Sequence, residues 1–166
     1  MNNELSQYRE KKQDKSPTSY LKILVFNIGS LYLALPIQSV KKIASQFEIA
    51  DTELNYIDVA KVDEKYIIVI DLHKKLFKSK VKSESNIKKY LLVSQNSAGE
   101  EFAIEIERNP PVLQQVELDR VRTLPESYLD TNVLKVASHV TIIPQETKSI
   151  TVLILDPDRL LPVLPN

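Results

Sequence analysis

Tyr66-Ile67-Ile68-Val69-Ile70-Asp71-Leu72 is the stretch on which the fold turns. Its β-branched run reads as a strand, and the aspartate behind it can accept a hydrogen bond from the first turn of a helix through Leu72 to Phe77. The pattern returns near the C-terminus. There Ile150-Thr151-Val152-Leu153-Ile154-Leu155 precedes Asp156-Pro157-Asp158-Arg159-Leu160-Leu161, with Asp at the cap and Pro at the first helical position. Ile67 to Asp71 superposes on Val152 to Asp156 at an offset of 85, and Leu33-Ala34-Leu35 on Phe102-Ala103-Ile104 at an offset of 69. The chain reads as internally duplicated.

Each copy opens on a hairpin. In the first, Leu21 to Phe26 and Leu31 to Ile37 flank Gly29-Ser30; in the second, Tyr90 to Val93 and Phe102 to Ile106 flank Asn96-Ser97-Ala98-Gly99. Between the copies, residues 78–89 alternate Lys, Ser and Glu without apolar period and form a polar linker. The expected organisation is a polar tail over 1–19, a first β-barrel subdomain over 20–77, the linker over 78–89 and a second barrel over 90–166, with strands open to exchange between the two. Hairpin, strand and aspartate-capped turn, twice over, favour two small barrels; one larger sandwich is the alternative. Asn109-Pro110-Pro111 interrupts what would be continuous strand, so that edge must end or bulge. The stretch from Val136 to Ile150 predicts a long hairpin with a polar tip at Pro144 to Lys148.

Composition narrows the chemistry. With 166 residues, 43% of them hydrophobic, the chain can bury a real core. It has no cysteine, and its two histidines, His73 and His139, stand far apart, so no transition-metal centre is expected and no cofactor is implied. Gly29 and Gly99 are the only glycines, too few for a glycine-rich phosphate cradle or a nucleophile elbow. The recurring Asp71 and Asp156 are explained by capping, and no catalytic residue stands out. Basic and acidic residues balance at 22 each, which gives no field for nucleic acid or an anionic membrane. Tyr66, Tyr90, Phe26 and Phe102 fall within apolar strands and are expected to pack in the core. Locally the charge is uneven: seven lysines lie between His73 and Lys89, and eight acidic residues between Glu100 and Asp130. Solvated surface accounts for both runs more simply than docking between molecules. No apolar run is long enough to span a bilayer and the tail lacks a secretory apolar centre, so a cytoplasmic location is expected, without membrane insertion.

Four segments, in order from about Tyr20 to Leu161, resemble the CheW-type coupling proteins of bacterial chemosensory arrays. Leu24 to Gly29 with Leu35 to Ile43 is similar to that family's opening hairpin and its Val-x-x-Ile ending. Val59 to Val62 with Tyr66 to Leu72 is similar to the family's Gly-Val-Ile-Asn-Leu-Arg-Gly-x-x-x-Pro-x-x-Asp-Leu stretch. Phe102 to Arg108 with Val121 to Pro125, and Val152 to Leu161, resemble its second half and closing strand. The resemblance implies a mainly β fold of two interlocked five-stranded SH3-like β-barrels with short helical turns and a groove between them. It also implies a non-enzymatic adaptor that links a methyl-accepting chemoreceptor to a CheA-like histidine kinase, with self-association possible.

The departures are specific. The family's glycine falls on Asp58, its Arg-Gly turn on Asp63-Glu64 and its strand proline on Ile68. In the family that arginine and the residues around the Val-x-x-Ile ending help form docking surfaces, so the candidate partner-binding residues are Val40, Lys42, Ile43, Asp58, Asp63 and Glu64. Burial in a barrel explains Val40 and Ile43 equally well. A basic-to-acidic exchange at the turn should select a different partner surface. Two other functions fit the same resemblance: a small-molecule sensor using the inter-barrel groove, and an array component that occupies a CheW position without coupling.

Overall fold

The computed structural model describes residues 18–54, 56–78, 86–125 and 135–161. Most of the expected polar tail and the middle of the linker lie outside these residues. Among the described residues twelve strands form two six-stranded sheets. In chain order the strands are β1 (Tyr20–Ile28), β2 (Leu31–Pro36), β3 (Val40–Ala44), β4 (Glu48–Ala50), β5 (Ile57–Val62), β6 (Lys65–Ile70), β7 (Lys89–Gln95), β8 (Glu101–Glu107), β9 (Val112–Glu117), β10 (Arg122–Thr123), β11 (Ala137–Pro144) and β12 (Ser149–Leu155). Helix α1 (Leu72–Phe77) follows β6, and a 3-10 turn (Pro157–Arg159) follows β12.

One sheet runs β10-β11-β12-β2-β1-β9 and the other β4-β5-β6-β8-β7-β3. Adding six to each strand number of the second sheet, counting past β12 back to β1, reproduces the first. The duplication read from sequence is thus a duplication of topology, and it holds in register. Val69 of β6 lies beside Ala103 of β8 in one parallel pair; their counterparts at the two offsets, Ile154 of β12 and Ala34 of β2, lie side by side in the other. Each repeat gives its first hairpin to the sheet built by the rest of the other repeat. The linker over 78–89 therefore separates repeats, while the chain crosses between sheets at 36–40 and 107–112. The short edge strands β4 and β10 bring each five-stranded barrel to six.

Apolar placement explains why the hairpin strands read as continuous hydrophobic runs. Ile23 and Val25 of β1 point into one barrel with Val116, Val152 and Ile154, while Leu24 and Phe26 point the other way into a core common to both sheets. In the same manner Leu91 and Val93 of β7 fill the second barrel with Val69 and Ala103, and Leu92 joins the common core. A strand buried on both faces shows no polar alternation. The aspartate caps form as expected: the Lys74 amide donates to the Asp71 carboxylate at 2.9 Å, and the Asp158 amide to that of Asp156 at 3.0 Å. Strand β8 ends before the prolines, with Arg108 at φ +75°, and the long hairpin β11–β12 closes through Gln145 N–H to Lys148 O at 2.7 Å.

Each exchanged hairpin ends on the cap of the other sheet. Gly29, at φ +60° in the β1–β2 tip, lies against Phe77 and His73 of α1, and a Cβ there would sit 3.3 Å from the Phe77 ring. In the β7–β8 tip, Ser97 donates through its amide and its hydroxyl to Asp158, at 2.7 and 2.8 Å.

Candidate functional site

Strand β3 lies at the edge of its sheet, paired only with β7 among the described residues, and its register slips between Val40 and Lys42. That irregularity leaves Lys41 and Lys42 both exposed. Lys42 Nζ donates to Asp63 Oδ2 at 2.6 Å, which ties the edge strand to the β5–β6 turn. Asp63 and Glu64 form that turn with φ of +48° and +66°, a left-handed pair that glycine would adopt without strain. Their side chains are 81% and 90% exposed, and Lys61 Nζ stands 3.4 Å from Glu64.

A second set of charges completes this barrel end. Glu101, at the start of β8, accepts from Lys41 at 2.7 Å and from Lys65 at 2.8 Å. These two ammonium groups hold its carboxyl down at about 2. Four lysines and three carboxylates thus alternate around the turn, each carboxylate beside at least one lysine.

The structure joins Lys42 to Asp63, with Glu64 next to it in the turn, but sets Asp58 apart. Asp58 lies five positions back along β5, roughly 16 Å away at the rise of a strand. Burial pushes its carboxyl up, a hydrogen bond from the Thr52 backbone opposes this, and Asp51 and Asp71 add repulsion. Glu105 of β8 is raised for the same first reason, with Lys89 opposing from 3.7 Å. That ion pair joins the lysine-rich and acid-rich runs within the molecule, because they lie on neighbouring strands. Val40 is half-buried against the common core, whereas Ile43 is 43% exposed.

Sequence reasoning passed over Lys41, Lys65 and Glu101, since no local signal joins positions 41, 65 and 101. It also placed Tyr66 in the core, and here it needs correction. Phe26 and Phe102 are buried and Tyr90 is half-buried, but Tyr66 is 72% exposed. The alternation of β6 carries the reason: Ile67 and Val69 face the barrel interior, which turns Tyr66 and Ile68 outward beside Lys61 and Val59.

An open cleft of about 270 Å³, where the β7–β8 tip meets the turn after β12, is lined by Pro36, Ser39, Gln95, Ser97 and Asp158 among others. A second cleft, of about 370 Å³, lies where β2 and β12 begin. The first falls below the usual range of ligand-pocket sizes and the second at its low end. Among the described residues no group of three or more His, Asp or Glu side chains could hold a metal, and no buried side-chain polar atom lacks a partner. No described helix is long and apolar enough to cross a membrane.

Two six-stranded sheets that exchange hairpins define a double-barrel β architecture. The model of the CheW-like domain matches residues 22–164, and the chain belongs to that family. Among solved structures it is similar to the scaffolding protein TtCheW from Thermoanaerobacter tengcongensis, with a TM-score of 0.66, 14% identity and coverage of 86% of this chain and 88% of that one. No curated protein sequence matches the chain.

Proposed function

We propose that the protein is a non-enzymatic adaptor that couples a methyl-accepting chemoreceptor to a CheA-like histidine kinase, with taxis or surface motility as the output. Membership of the CheW-like family supports a coupling or scaffolding role. The observation that carries the site is the Lys42–Asp63 ion pair, which joins the edge strand and the β5–β6 turn into one surface. Val40 and Ile43 supply its apolar part, Asp63 and Glu64 its acidic part, and Asp58 marks the far end of β5. A partner reads this surface by shape and by the order of its charges, which sets specificity more than affinity.

The test is association with purified kinase and receptor, alone and in reconstituted arrays. Asp63→Arg places a cation against Lys42 and should weaken binding about tenfold or more. The exchange Lys42→Asp with Asp63→Lys keeps the local pair and reverses its polarity; it should bind as weakly as Asp63→Arg if the partner reads the charges. Circular dichroism confirms folding of each variant first. Unchanged association of Asp63→Arg with every chemosensory partner would remove this turn from the surface.

A further inference from the structure

We infer that the two barrels open and close as one cooperative unit, so that a change inside one barrel is transmitted in full to the other. The distribution of the core carries this. Among the described residues the common core holds sixteen buried apolar side chains, against eight and seven inside the two barrels. Neither barrel keeps most of its apolar contacts if its neighbour unfolds.

Connectivity works in the same direction. The β1–β2 hairpin gives Ile23, Val25 and Ala34 to one barrel and Leu24, Phe26, Leu33 and Leu35 to the common core, yet its chain continues directly into β3 of the other sheet. Its tip also rests on Phe77, which follows β6 of that other sheet. The β7–β8 hairpin is held reciprocally, through Ser97 on Asp158. Opening either sheet strips both faces of an exchanged hairpin and releases the contact at its tip. A low-energy opening confined to one barrel is therefore absent.

Amide hydrogen exchange on the full chain tests this with two conservative changes at equivalent positions, Ile154→Val in one barrel and Val69→Ala in the other. Ile154→Val should speed the slowest-exchanging amides of both sheets by the same factor, about two- to tenfold. Val69→Ala should likewise move both sheets together. Acceleration confined to the sheet that carries the substitution, or seen in neither sheet, overturns the inference. The readout needs no binding partner, so its result is independent of the proposed adaptor role.

Discussion

Glu64 holds φ at +66° without being glycine, and Asp63 beside it holds +48°. A left-handed conformation costs a residue with a side chain about 1–2 kcal/mol, and aspartate bears it better than glutamate. Glu64→Gly should therefore stabilise the protein by about 0.5 kcal/mol, since the freedom glycine adds to the unfolded chain and the lost exposed pair with Lys61 offset part of the relieved strain. A higher urea midpoint at unchanged slope is the expected result. At Glu101 the folded carboxyl ionises at about 2 against an ordinary 4.5, so its stabilising effect is complete above 4.5 and fades as pH falls toward 2. Glu101→Gln should flatten the thermal midpoint over that interval and leave its slope at higher pH unchanged. At this scale the sequence was informative about identity and silent about company. Asp63 and Lys42 could each be nominated, but their contact and the Lys41–Glu101–Lys65 bridge depend on pairings among strands distant in the chain.

The two hairpin tips occupy equivalent places and use different chemistry. Gly29 sits at +60° with Phe77 3.3 Å from any added Cβ, whereas Gly99 sits at +80° with nothing within 4 Å. Gly99→Ala should cost only the backbone penalty, about 1 kcal/mol, and Gly29→Ala should cost about 2 kcal/mol or more because Phe77 must also yield. Chemical denaturation of the two variants in parallel measures the difference. Both hairpins, both aspartate caps, the break at Pro110 and the long β11–β12 hairpin were legible because each depends on neighbours in sequence. The exterior position of Tyr66 was written in the alternation of β6, but an apolar run of five residues hides which face is buried.

Across the whole molecule the perturbed carboxyls act in opposite directions. Asp58 and Glu105 are raised, chiefly by burial, so the folded state binds their protons more readily than the unfolded chain and gains stability as pH drops through their folded values. Glu101, and Asp158 through its bonds from Ser97, are lowered and lose their contribution at more acid pH. Stability should therefore rise as pH falls through the folded values of Asp58 and Glu105 and decline again as Glu101 and Asp158 take up protons. Thermal unfolding across pH checks this, and Asp58→Asn with Glu105→Gln should remove the rise. The exchange of hairpins was the least legible feature, because the contact of β2 with β12 spans more than a hundred residues and leaves no local trace. Its consequence reaches back to the chain's origin. A single repeat that lent its hairpin to an identical twin would build the same two sheets as a symmetric dimer. Fusion into one chain removes the obligation to stay identical, and the unlike tips, glycine on an aromatic ring in one half and serine on a carboxylate in the other, are that freedom in use.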